Sequence, residues 1–265
     1  MTALPETFRP ESQAAIEAVE HALAISRRRE GAEHIRLKGD RDLVTATDVA
    51  VEEAVRDVVS ALGMPVVGEE GDAAAGNDAS AFWLVDPICG TRNFASGIPL
   101  FCVNVALVED DRVTVAVVGD PSTNTVHVAE LGKGAWALSD GTPRRLAAAA
   151  ESQTIVIEDS HADPEPERRA RAATAVADAI RAFRWDIRAF STTLALAYVA
   201  AGRVDGYVLF WTSAIHASAG SLLAAEAGAT VSDVDGKPWT IRSDSIIASA
   251  TPELHDDLLR ITRVG

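Results

Sequence analysis

The sequence predicts an α/β protein in which β-sheets alternate with layers of helix. Three observations carry that prediction. Of the 265 residues 48% are hydrophobic, enough to fill a sizeable core. The first half holds two amphipathic segments followed by a train of short β-branched runs, and after about residue 150 strand-like and helix-like segments alternate. We read a single domain over 1–265, with lobes at 1–150 and 151–265. The Ala-rich stretch 146–150 between them is too short and apolar to act as a free linker.

Over residues 11–29, Ala14, Ile16, Ala18, Val19, Ala22 and Ile25 recur at near-helical spacing, with Pro10 and Ser12 in front and Gly31 behind. This predicts an amphipathic opening helix. The stretch 38–48, from Lys38 through Asp42 to Asp48, is polar and turn-like. It leads into 49–62, where Val51, Val55, Val58, Val59 and Leu62 form one apolar stripe that Thr47 or Asp48 is placed to cap. Runs rich in β-branched and aromatic residues follow at 65–67, 82–85, 101–108, 113–118 and 125–131, separated by Gly, Asp and Pro. Asp110-Asp111 reads as the hairpin turn between two of them. In the second lobe strands are expected at 154–157, 205–210, 230–234 and 245–248. Helices are expected at 164–183, 191–201, 214–228 and 252–261.

With 24 Lys and Arg against 39 Asp and Glu, the formal net charge is -15, a field that repels polyanions. Nucleic acid is therefore not expected as a partner. A small anionic substrate would need a local counter-charge: a helix N-terminus, a placed Lys or Arg, or a metal ion held by some of the carboxylates. Two cysteines, Cys89 and Cys102, are too few for a disulfide framework and point to a reducing compartment. No leader pattern and no apolar run of about 20 residues is present. The expectation is a soluble cytoplasmic protein with no membrane partner.

Two acidic spots stand at the ends of predicted strands, where a turn exposes side chains rather than burying them. One is Val67-Gly-Glu-Glu-Gly71. In the other, Trp83-Leu-Val-Asp-Pro-Ile-Cys-Gly-Thr-Arg-Asn-Phe94, the strand ends in Asp86, Pro87 turns the chain, and Gly90 lets the backbone approach whatever the turn surrounds. A carboxylate from each could share one hard divalent cation, because Mg2+ prefers oxygen ligands. Paired glutamates also serve as solvated surface and Asp-Pro as a plain turn, so spacing alone leaves both readings open.

Taken in order with Lys38, Asp42-Leu-Val-Thr-Ala-Thr-Asp48, the run from Phe190 to Gly206 and the run from Ala219 to Gly228, these segments resemble the inositol monophosphatase family. The likeness covers nearly the whole chain. It implies a layered αβαβα fold, a Mg2+-dependent and lithium-sensitive phosphomonoesterase activity, a small phosphorylated metabolite as substrate, and a homodimer. By the same resemblance Glu69 and Asp86 bridge metals and Ile88 lends a main-chain carbonyl to the first metal. Asp48 and Thr91 orient and deprotonate the attacking water, and the turn from Gly90 to Thr91 receives the phosphate.

The chain departs from the family pattern at two places. Cys89 stands where a second aspartate belongs, and His216 replaces the aspartate of a downstream Trp-Asp pair, with Ile215 in place of the tryptophan. Both lost carboxylates serve the second metal. Three readings follow. His216 as imidazolium donates a proton to the leaving oxygen; or Cys89 and His216 join Asp86 around a softer ion such as Zn2+, with Mn2+ a further candidate; or the site binds without turnover. A non-hydrolytic reaction using His216 and Cys89 as acid and base is a further alternative, as is plain packing of both side chains. The family's glutamate that contacts a substrate hydroxyl corresponds to Leu209, followed by Phe210 and Trp211; an apolar wall there suits a flat or hydrophobic moiety such as a nucleoside, while at least one of Phe210 and Trp211 is expected as a core or dimer-contact residue. Arg92 is a candidate phosphate or carboxylate contact, or equally a surface residue.

Overall fold

The computed structural model describes residues 8–28, 35–37, 43–70, 79–139, 142–159 and 165–263. Lys38, Asp42, Gly31, Gly71 and Pro164 of the sequence reading lie outside the described residues. The chain builds five layers, and the residue pattern explains each. Helices α1 (Pro10–Arg28) and α2 (Ala46–Val59) carry apolar stripes such as Val51, Val55 and Val59, spaced four apart. Those stripes pack on one face of a seven-stranded sheet. Its strands are β3 (Val66–Gly68), β4 (Ala81–Cys89), β5 (Cys102–Glu109), β6 (Arg112–Asp120), β7 (Thr125–Glu130), β8 (Ala135–Ser139) and β9 (Thr142–Arg145), adjacent in chain order. Only the β3–β4 pair is parallel. Outside this sheet, β1 (Ile35–Leu37) and β2 (Leu43–Thr45) pair antiparallel just ahead of α2.

Period-two alternation explains why these strands are apolar on both faces. Trp83, Val85, Val103 and Val105 face α1 and α2, while Leu84, Cys102 and Ala106 face the opposite layer. That middle layer is α5 (Leu194–Ala200) and α6 (Ala214–Glu226), which is apolar nearly all round because it is covered on both sides. Beyond it lies a five-stranded sheet in the order β11, β10, β12, β14, β13: β10 (Thr154–Glu158), β11 (Asp186–Arg188), β12 (Gly206–Leu209), β13 (Thr230–Ser232) and β14 (Ile246–Ser249). Helices α4 (Pro166–Ala182) and α7 (Pro252–Thr262) cover its outer face through Ala172, Ala175, Leu254 and Leu258. A short helix, α3 (Thr91–Ser96), follows β4. The order is helix, sheet, helix, sheet, helix, the layered α/β fold expected.

Several local expectations need correction. Thr45, not Thr47 or Asp48, caps α2; Asp48 is the third helical residue and closes a reciprocal capping box with Thr45. The turn-like stretch before α2 contains strand β2. Strand β4 does not end at Asp86 but runs on to Cys89, passing Pro87 through an irregularity: Asp86 pairs with Asn104 and Cys89 with Cys102, so β4 has one residue more than β5 across that interval. A bulge tolerates the N–H that proline lacks. Strands β1, β8, β9 and β11 have no counterpart among the sequence expectations. Asp110 and Asp111 do form the two-residue hairpin turn, both with positive φ, at 48° and 62°. Among the described residues no helix is long and apolar enough to cross a membrane.

Gly220, one turn after His216 on α6, shows how tightly the middle layer is packed. A Cβ there would sit 2.5–2.6 Å from Leu196 Cδ1 and Cβ on α5. Because Leu196 Cβ is anchored to its backbone, the helices would have to separate. Gly220→Val is expected to cost about 2 kcal/mol by overpacking, measured by urea unfolding at pH 7, and adding Leu196→Ala should not restore the loss, because alanine keeps the Cβ that the new side chain meets.

Candidate active site

Asp86 occupies the middle of the structure, fully buried on β4. A buried carboxylate needs compensation. Its Oδ2 receives the His216 imidazole Nδ1 at 2.8 Å from the first turn of α6, and the Asn104 amide of the neighbouring strand lies 3.5 Å away. Its Oδ1 is buried with no hydrogen-bond partner among the described residues. Burial works to lower the His216 pKa, but the Asp86 charge and hydrogen bond override it and hold the imidazole at about 10. The hydrogen bond and the Asp86 charge thus favour the protonated imidazole at neutral pH.

Cys89, three residues on, faces the same space. The donor atoms of Asp86, Cys89 and His216 all lie within 4.8 Å of one another. The Cys89 sulfur meets the Thr193 hydroxyl at 3.0 Å and accepts the Thr193 N–H at 3.2 Å. A hydrogen bond from Cys102, the residue opposite on β5, and burial push the Cys89 thiol well up. Asn104 ties the cluster together, its amide reaching the Thr193 hydroxyl at 3.0 Å and the His216 carbonyl at 3.4 Å.

The β4–α3 turn adds the second group. Gly90 has φ 101°, and a Cβ there would stand 3.1 Å from Leu100 O and Thr192 Cβ, so both conformation and space call for glycine. It aims Thr91, whose hydroxyl lies 3.0 Å from Ile88 O and 3.3 Å from Asp48 Oδ1. Asp48 Oδ2 is held by the Thr45 N–H at 2.9 Å and by the Thr45 hydroxyl. Burial raises the Asp48 pKa above the ordinary 3.8, with the Thr45 and Thr91 hydrogen bonds opposing it. The Ile88 side chain packs against Phe94 and Phe101, and its carbonyl accepts the Thr91 hydroxyl.

One cavity of about 410 Å³ gathers these groups. Glu69, Ile88, Cys89, Gly90, Thr91, Arg92, Leu209, Trp211 and His216 all line it. Asp48 and Asp86 are not among the lining residues; they are buried behind it and hydrogen-bonded to Thr91 and His216. Phe210 does not join them: it is buried beneath the outer helices, with the Arg171 guanidinium 6.0 Å from its ring centroid.

A profile of the inositol monophosphatase family matches residues 6–264. The chain belongs to the inositol monophosphatase family. It is 34% identical over 224 residues to the inositol-1-monophosphatase of Mesorhizobium japonicum, covering 81% of this chain and 80% of that protein. It is 33% identical over 227 residues to the Nus factor SuhB of Haemophilus influenzae, covering 84% of each. Among solved structures, the extragenic suppressor protein SuhB of Bartonella henselae superposes with a TM-score of 0.85 at 27% identity, over 97% of this chain and 100% of that one. The Thermotoga maritima IMPase gives 0.77 at 26%, over 93% and 94%. Family relatives thus carry both phosphatase and Nus-factor names.

Sequence reasoning missed the residues that hold the candidates in place: Thr45, Asn104, Thr193 and Glu158. The signal for Asn104 was present, a lone amide inside the apolar run Cys102-Val-Asn-Val-Ala106. Glu158 also lines the cavity, and its carboxylate accepts the Phe190 and Ser191 N–H groups and the Tyr207 hydroxyl. Nothing local marks it. Removing His216 strands the Asp86 charge. His216→Ala is expected to lose about 2–4 kcal/mol at pH 7, short of the ~3–5 kcal/mol of a wholly buried pair because the imidazole is 29% exposed. Millimolar Mg2+ should raise the melting temperature of this variant more than that of wild type, both read by thermal unfolding.

Proposed function

We propose that this protein is a phosphomonoester hydrolase for a small phosphorylated sugar, cyclitol or nucleoside phosphate, with His216 standing where the family places a second cation. The observation that carries the reading is the buried Asp86: one oxygen is paired to a histidine cation and the other is buried with no protein partner. The orphaned Asp86 oxygen, with Glu69 and Ile88 on the cavity lining, offers hard oxygen donors of the kind Mg2+ prefers. These three residues would hold it, and when bound it would draw negative charge from the phosphoryl oxygens.

The rest falls to the chain. Asp48, fixed by Thr45, presents Oδ1 toward Thr91, and the two hold the nucleophilic water, with Asp48 accepting its proton. The Gly90–Arg92 turn and the Arg92 guanidinium receive the phosphate. The His216 Nδ1–H is committed to Asp86, which leaves Nε2–H to protonate the leaving oxygen. Leu209 and Trp211 form the apolar wall for the organic part. A homodimer belongs to this reading, and sedimentation tests it.

A panel of sugar, inositol and nucleoside phosphates assayed with Mg2+, Mn2+ and Zn2+ tests the proposal. Ligand binding with no phosphate release in every combination would overturn it in favour of a binding protein. In the active case kcat falls as pH is lowered through a pKa above 3.8, because protonation of Asp48 removes the base. Asp48→Asn should lower kcat by about 10²–10⁴-fold and abolish that acid limb, as seen in kcat–pH profiles.

A second reading is favoured by one specific observation, the 4.8 Å clustering of Asp86, Cys89 and His216 donor atoms. Tetrahedral Zn2+ sets nitrogen and sulfur ligands about 3.6 Å apart, so a small contraction would complete three protein ligands and leave one position open. The Thr193 N–H on the sulfur is the kind of outer hydrogen bond that steadies a thiolate ligand. Co2+ added to the protein should produce a thiolate charge-transfer absorption that Cys89→Ser removes. A spectrum unchanged by that substitution would reject the soft-metal centre and leave the hydrolase reading standing.

A further inference from the structure

Glu69 is held by more than its own strand. Its N–H reaches Val85 O on β4 at 3.1 Å, extending the β3–β4 ladder by one residue. The other side of the segment is gripped from α2, and the grip centres on Glu52. Glu52 lies one turn after Asp48 on the same helix face, and its side chain is buried. Its Oε2 accepts the Glu70 N–H at 2.7 Å and its Oε1 accepts Arg56 Nη2 at 2.9 Å. Arg56, one turn further on, donates its Nη1 to Val66 O at 2.9 Å. The Glu52–Arg56 pair therefore holds main-chain groups at 66 and 70, bracketing Glu69.

Gly68 shows how close the approach is. A Cβ at that position would lie 2.2 Å from Glu52 Cδ and Oε1 and 2.4 Å from Oε2. The carboxylate fills the space a side chain would occupy, so the glycine is required by contact with Glu52 rather than by a left-handed backbone. A charged group packed flat on a backbone, with both oxygens engaged, fixes that backbone in position and rotation.

We infer that Glu52 is a positioning residue for Glu69: through the Glu70 N–H and the face of Gly68 it sets where the Glu69 carboxylate enters the cavity. The inference rests on the reading above in which Glu69 holds a cation. It makes α2 the common mount for both halves of the site. Asp48 acts on the Thr91 side, and Glu52, four residues on, acts on the Glu69 side without touching metal or substrate. The Gly-Glu-Glu signature then has a stated division of labour, with glycine making room for the clamp, Glu69 serving as ligand and Glu70 contributing its amide.

Two readouts test this. The first is Mg2+ titrated into the protein by calorimetry, together with the KM for Mg2+ in the hydrolase assay. Glu52→Gln, which keeps the shape but loses the charge, and Gly68→Ala, which displaces the carboxylate, should each weaken Mg2+ binding by about 10- to 100-fold. The KM for Mg2+ should rise more than kcat falls. The second is amide hydrogen exchange, in which residues 69–70 of either variant should exchange at least about tenfold faster while β5 and β6 stay protected. If Glu52→Gln does not fold, Arg56→Gln leaves Glu52 in place and should give a smaller shift in the same direction. Folded variants with wild-type Mg2+ affinity and wild-type exchange at 69–70 would overturn the inference. Wild-type protein that takes up no Mg2+ would overturn the metal assignment of Glu69, and exchange alone would then decide whether the clamp exists.

Discussion

Asp86 is an acidic side chain buried between a sheet and a pair of helices, where a polar group without a partner is costly, and the surrounding architecture answers that requirement. His216 supplies its imidazole from the start of α6, Asn104 contributes its amide from the next strand, and the second oxygen is buried with no hydrogen-bond partner among the described residues. Each partner comes from a different element, so the pair works only if β4, β5 and α6 keep their relative positions. Gly220, pressed against Leu196, is one of the contacts that keeps α6 close enough for His216 to reach.

The layered fold makes this arrangement possible. Two sheets with helices on both faces bury apolar side chains on every strand, and the middle helices α5 and α6 are sealed from both sides. Polar groups are tolerated at one end of that interior because they satisfy one another. Cys89, Cys102, Asn104, Thr192 and Thr193 form a continuous set of contacts beneath the cavity floor. The bulge that carries β4 past Pro87 delivers Asp86, the Ile88 carbonyl and Cys89 to that end in four residues. This floor holds the His216 imidazole beside the Asp86 carboxyl, with the Cys89 thiol within 4.8 Å of both.

Helix α2 links fold and chemistry in a second way. Its capping box is an ordinary device for satisfying free N–H groups at a helix start, yet the capping carboxylate is Asp48, the group that reaches Thr91. One side chain thus closes the helix start and contacts the β4–α3 turn, and the next turn of the helix carries Glu52 against Gly68. A helix anchored at both points constrains the cavity wall from residue 45 to residue 70.

Much of this was legible from the chain alone, because it depends on local rules. Apolar spacing of four in α2, alternation in β5 and β6, and the Asp110-Asp111 turn are set by backbone geometry and solvent, and the motifs at 67–70 and 86–91 name the residues that meet. The missed elements are short or sit at edges: β9 and β11 gain their order from neighbours rather than from their own composition. What the sequence by itself determined was therefore the order of the main helices and strands and most of the side chains that line the cavity. Only the tertiary structure decided that His216 pairs with Asp86 through Nδ1, that Thr45 rather than Thr47 caps α2, and that Glu52 lies flat on Gly68. Those are contacts between residues 3 to 130 positions apart, and their energies depend on distance and burial, which no one-dimensional pattern contains.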